Sequence, residues 1–74
     1  MRVALIDDSY SALTALQNYL HPLADVELYP FRSGVALLAD AISTEFDLVI
    51  CDYLMPDMDG IEVIRRLRQI PTYS

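Results

Sequence analysis

The chain has no lysine, one cysteine and one histidine in its 74 residues. Without a partner thiol, Cys51 cannot close an internal disulfide, and a reducing cytoplasm is its simplest setting. Without a second histidine or cysteine, His21 has no companions for a transition-metal site. Its place before Pro22, at a helix end, suits a surface residue favoured by the helix dipole. No apolar run approaches the roughly 20 residues that cross a bilayer, so no membrane span is expected. The opening Met-Arg-Val-Ala-Leu-Ile-Asp-Asp lacks the apolar stretch and small-residue cleavage site of a signal peptide. Positive charge is scarce: five arginines supply all of it against 11 Asp plus Glu, for a net charge of −6. That balance argues against contact with nucleic acid by this segment. Arg65, Arg66 and Arg68 read instead as the solvated end of a helix. The five tyrosines are scattered, without the basic partners that base stacking needs.

Apolar residues are abundant, at 54%. A chain this short buries only roughly 60% of the surface its unfolded form exposes. The excess implies apolar surface meant for something outside these residues. Residues 3–6 are a short apolar run stopped by Asp7 and Asp8, as in a buried strand. Residues 9–20 carry Leu13, Leu16 and Leu20 at helical spacing, with Ala12 and Ala15 beside them, and His21-Pro22 ends the helix. Residues 26–29 form a second strand closed by Pro30. Ser33-Gly34 opens another helix, with Val35, Leu38, Ala39 and Ile42 on one face. Asp47-Leu-Val-Ile-Cys-Asp52 is the clearest strand, and Tyr53 to Met58 reads as a loop. Asp59, with Glu62 three residues on, starts a third helix that turns Ile61, Ile64 and Leu67 inward and stops before Pro71.

This alternation predicts an α/β fold: a three-layer βαβαβα unit with a parallel sheet ordered 2-1-3. In such sheets ligands sit beyond the carboxyl ends of the strands, where the strand order reverses. Asp7 and Asp8 end the first strand there and Asp52 ends the third. Three converging carboxylates repel one another unless a hard divalent cation such as Mg²⁺ joins them. A carboxylate beside Mg²⁺ can attack phosphorus to form an acyl phosphate. Asp52, alone at the end of the apolar third strand, is the candidate nucleophile. Asp8 is the candidate direct metal ligand, Asp7 supports it directly or through water, and the Leu54 backbone carbonyl can complete the set. Asp57 and Asp59 fall in a turn and at a cap, outside the site. Cys51 packs toward the core, and Tyr53 either lines the pocket mouth or covers the loop.

Three motifs, Leu-Ile-Asp-Asp-Ser at 5–9, Asp-Leu-Val-Ile-Cys-Asp at 47–52 and Met-Pro-Asp-Met-Asp-Gly at 55–60, resemble the receiver domain of two-component response regulators. The resemblance spans essentially the whole chain. It implies a flavodoxin-like (βα)₅ fold with sheet order 2-1-3-4-5, of which residues 1–74 are the part before strand 4. It implies that Asp52 accepts a phosphoryl group from the phosphohistidine of a sensor kinase or phosphotransfer protein. It further implies Mg²⁺ held by Asp8, Asp52 and the Leu54 carbonyl with help from Asp7, and a pocket loop shaped by Pro56 and Gly60. The domain would be regulatory rather than an enzyme, acting on an attached output domain or a downstream protein. The family's switch Ser or Thr after strand 4 and lysine after strand 5 are not among these residues, so residues 1–74 alone are expected to accept phosphate inefficiently.

Lacking strand 4, the outer edge of strand 3 would offer unpaired backbone groups and favour self-association, or be covered in a longer parent protein. Two other readings compete. An aspartate-nucleophile, Mg²⁺-dependent phosphatase of the haloacid dehalogenase type would carry Asp-x-Asp after its first strand, whereas here the pair is adjacent. A degenerate receiver serving only as an interaction surface would not need an intact acidic triad.

Overall fold

The computed structural model describes residues 1–23 and 25–74. It runs β1 (Arg2–Ile6), α1 (Tyr10–Leu20), β2 (Glu27–Phe31), α2 (Gly34–Ala41), β3 (Leu48–Cys51) and α3 (Gly60–Leu67), then a 3₁₀ turn over Pro71–Tyr73. The sheet is parallel, in the order β2-β1-β3 expected from sequence. Central β1 separates two cores because successive side chains point to opposite faces. Val3 and Leu5 pack with Leu13 of α1, joined by Leu16, Leu20, Val26 and Leu28. Ala4 and Ile6 pack on the other side with Leu37 and Ala41 of α2, Phe46, and Val63 and Leu67 of α3. The result is three layers, with α1 on one face and α2 and α3 on the other.

Each helix starts on a side-chain cap. Ser9 Oγ accepts the Ala12 N–H at 3.3 Å, Ser33 Oγ that of Ala36 at 3.1 Å, and Asp59 Oδ1 that of Glu62 at 2.9 Å. Such a cap is typically worth about 1 kcal/mol. The Glu62 carboxylate does not fold back to complete a capping box. It pairs instead with Arg65 and Arg66 one turn on, at 2.6 and 2.9 Å. Those arginines lie on the exposed face in the last turn of α3, as the charge pattern implied.

Three expectations change. The strand expected to close at Pro30 continues through it to Phe31. Glu27 N–H donates to Met1 O, and Phe31 O accepts from Asp7 N–H, so the odd-numbered residues of β2 face β1. Pro30 therefore lacks its N–H on the outer side of an edge strand, where no bond is lost. In α2 the buried positions are Gly34, Leu37 and Ala41, with Leu38 partly buried, while Val35 and Ile42 are exposed. Gly34 lets α2 approach α3 closely, since a Cβ there would stand 2.6 Å from Val63 Cγ2. In α3, Leu67 turns inward as expected, but Val63 takes the central place while Ile61 and Ile64 are exposed.

Within β3, Leu48 and Ile50 are exposed. They share a face with Val3 and Leu5, which α1 covers only over β1 and β2. Beside them, Leu48, Val49, Ile64, Leu67 and Tyr73 line an open groove along the outer edge of β3. Tyr73 anchors the 3₁₀ turn there: its hydroxyl donates to Thr44 O at 2.7 Å and accepts the Phe46 N–H at 2.9 Å.

Candidate acidic site at the sheet's carboxyl edge

The backbone ladder runs past the ends of the strands and delivers the acids to one place. Asp7 N–H donates to Phe31 O at 3.1 Å, and Asp52 N–H donates to Ile6 O at 2.9 Å. One carboxylate oxygen from each of Asp7, Asp8 and Asp52 comes within 4.8 Å of the others. Asp7 and Asp52 are half-buried and Asp8 is exposed. Asp7 Oδ1 also accepts the Ser9 N–H at 2.9 Å, which fixes that carboxylate at the entrance to α1. Among the described residues no arginine side chain is ion-paired to any of the three. An unpaired set of hard oxygen donors fits an octahedral divalent cation and does not suit a soft one.

The loop after β3 is held close by Gly60. Its N–H donates to Tyr53 O at 2.9 Å, and a Cβ there would meet Asp52 O at 3.1 Å and Tyr53 Cα at 3.3 Å. Those neighbours are backbone, so a side chain could be admitted only by moving the start of α3 away from Asp52. Pro56 and the side chains of Tyr53 and Leu54 are exposed. Cys51, one residue before Asp52, is half-buried against the α2–α3 core, as its place in the strand implied. Burial first, and then the neighbouring charges of Asp52, Asp57 and Asp7, push its thiol above the ordinary value. It therefore stays protonated and poorly nucleophilic at neutral pH.

Two residues of this region escaped the sequence reading. Arg32, just past β2, donates from Nη2 to Asp8 O at 3.1 Å. Its only signal is position: it follows the strand that neighbours β1. Asp57 is correctly outside the acid cluster, but it is more than a turn residue. Its Oδ2 accepts the Val35 N–H at 3.1 Å and ties the loop to α2. That bond, first among its causes, holds the Asp57 carboxyl below its ordinary 3.8. A carboxyl depressed by folding adds stability above its ordinary pKa, and this is lost as pH falls through the folded value. The tether is thus expected to release only below about pH 3.8. NMR of the Val35 amide checks this: its titration midpoint should lie under that value, and a midpoint at or above it would refute the tether.

The family model described as the response regulator receiver domain matches residues 3–74. The chain belongs to this family. The receiver is 34% identical over 74 residues to the cyclic di-GMP phosphodiesterase response regulator RpfG of Xanthomonas campestris pv. campestris, covering 99% of this chain and 20% of RpfG. Chemotaxis protein CheY4 of Vibrio cholerae superposes with a TM-score of 0.89 at 32% identity, over 97% of this chain and 59% of CheY4. The signal receiver domain of an HD domain-containing protein from Pseudomonas fluorescens Pf-5 gives a TM-score of 0.84 at 34% identity, over 92% of this chain and 54% of that one. The receiver spans about a fifth of RpfG and little more than half of either solved chain. Among the described residues no helix is long and apolar enough to cross a membrane.

Proposed function

We propose that this receiver accepts a phosphoryl group on Asp52 from the phosphohistidine of a sensor kinase or phosphotransfer protein. The observation that carries the reading is the meeting of Asp7, Asp8 and Asp52 within 4.8 Å at the point where the strand order reverses. In this reading an Asp52 carboxylate oxygen attacks phosphorus, a P–O bond forms, and the donor's P–N bond breaks with its electron pair staying on the imidazole nitrogen. The product is an acyl phosphate on Asp52. Asp8, Asp52 and the Leu54 carbonyl would hold Mg²⁺, with Asp7 assisting through its second oxygen. The ion supplies neutralisation of the phosphoryl oxygens. The chain's own contribution is to hold Asp52 at the end of a zipped strand, keep Asp7 oriented through Ser9, and set the loop through Gly60.

Residues 1–74 would form the first three βα units of a five-unit receiver that regulates an attached output domain or a downstream protein. The test is incubation with an acyl phosphate and Mg²⁺, followed by mass analysis to locate one phosphoryl group on Asp52. Continuous release of phosphate from small esters would favour a phosphatase instead.

We also infer that the outer edge of β3 is where a fourth strand of the longer receiver pairs, and that residues 1–74 taken alone self-associate through it. Even-numbered β3 residues bond β1, since Asp52 N–H donates to Ile6 O, so the backbone groups of Val49 and Cys51 point outward. Leu48, Ile50 and Ile64 are exposed beside that edge. Sedimentation should show a dimer that Val49→Pro or Leu48→Lys converts to monomer; a monomer in the unsubstituted chain at high concentration would refute it.

A further inference from the structure

The carboxyl edge of the sheet carries one arginine. Arg2 opens β1 at the opposite edge, Arg65 and Arg66 are tied to Glu62, and Arg68 ends α3 in the groove outside β3. Arg32 alone stands past the carboxyl end of a strand. Two contacts place its guanidinium at the backbone of Asp8, one of the three acids, and at the start of α1. Nη2 donates to Asp8 O at 3.1 Å, and the guanidinium carbon lies 5.9 Å from the centre of the Tyr10 ring. The group is exposed, and among the described residues no carboxylate is paired with it. A guanidinium has five N–H donors in a planar fork that matches phosphoryl oxygens. The bond to Asp8 uses one of them, which leaves the others to a ligand. Because the bond falls on a backbone carbonyl, it orients the guanidinium without neutralising it.

We infer that Arg32 is an anion-binding residue of this site, meeting the phosphoryl oxygens of a phosphate-bearing donor as they approach Asp52. This rests on the phosphoacceptor reading for its biological meaning, but not for its test. Among residues 1–74, Arg32 supplies the fixed positive charge on the side of the cluster that faces β2. Its charge opposes Mg²⁺ and favours the phosphate, so removing it moves the two affinities in different directions. A purely structural role, holding the Asp7–Asp8 turn, would weaken both together.

The experiment titrates the chain with Mg²⁺ alone, and then with inorganic phosphate at saturating Mg²⁺, following backbone amides by NMR. Unsubstituted, Arg32→Ala and Arg32→Lys chains are compared. In Arg32→Ala, half-saturating phosphate should rise about fivefold, as expected for an exposed charge-assisted contact, while Mg²⁺ binds at least as tightly. Arg32→Lys should recover part of the loss, and added salt should shrink the difference between the chains. Equal phosphate binding with and without Arg32, no phosphate binding by the unsubstituted chain, or a joint fall in Mg²⁺ and phosphate affinity would each overturn the inference. The phosphoacceptor reading fails separately, if phosphate binding depends on Arg32 yet an acyl phosphate never modifies Asp52.

Discussion

An Asp52→Asn chain will take up no phosphoryl group from an acyl phosphate, whereas the unsubstituted chain will acquire one, slowly, in a Mg²⁺-dependent reaction. The substitution keeps the side chain's size and removes both its nucleophilic oxygen and its charge. The carboxylates of Asp7 and Asp8 lie close enough to offer a substitute. However, Asp8 is exposed and Asp7 Oδ1 is engaged by the Ser9 N–H, so neither is both half-buried and unengaged. The same change removes one of three negative charges from the cluster. Mg²⁺ binding should therefore weaken by about tenfold, the order expected for losing one close charge at a partly screened site. Unfolding cannot be the cause of either loss, because removing a like charge from the cluster relieves repulsion. The thermal midpoint of Asp52→Asn should match or exceed that of the parent. Intact-mass measurement over time, with the midpoint recorded alongside, decides the matter. Undiminished incorporation in Asp52→Asn would move the phosphoacceptor to another residue.

Replacing Leu37 with alanine should remove more than half of the chain's stability. Leu37 has no exposed surface and sits where α2 meets the sheet, packed among Ala4, Ile6, Phe46 and Val63. A buried Leu→Ala change costs about 2–5 kcal/mol, through lost transfer energy and the cavity that remains. Domains hold roughly 0.05–0.15 kcal/mol per residue, which puts a chain of this length at about 4–11 kcal/mol. Exposed Leu48, Ile50 and Ile64 place it toward the lower end. Urea unfolding followed by circular dichroism should show the midpoint falling by more than half. Val35→Ala, on the same helix but exposed, should leave it nearly unchanged. Equal costs at the two positions would contradict the observed orientation of α2.

That pair of substitutions marks where a sequence reading of this helix must stop. Gly-Val-Ala-Leu-Leu-Ala-Asp-Ala is apolar almost all round, so more than one helical stripe satisfies the periodicity. The stripe through Leu37 and Ala41 is selected by the sheet beneath and by α3 beside it, at the close approach of Gly34 to Val63. In α3 the charged residues share one face, and the apolar arc opposite is wide enough that Val63 and Leu67 meet the core while Ile61 and Ile64 flank it. Arg32 and Asp57 were illegible for another reason: each acts on a partner more than 20 residues away, Asp8 and Val35 respectively. Pro30 looked like a strand end because proline lacks an N–H, and only the pairing shows that this N–H faces outward.

Local chemistry carried the rest. Short apolar runs ending in acids defined β1 and β3, and Ser9, Ser33 and Asp59 marked the helix starts by the hydrogen bonds their side chains can offer. The alternation of strand and helix then determined a parallel sheet, and with it the convergence of Asp7, Asp8 and Asp52. These features depend on residues within a few positions of one another and on a connection rule that few topologies satisfy. Which apolar face is buried, which edge is left open and which arginine reaches the acids depend on contacts between distant segments. Only the tertiary structure decides them.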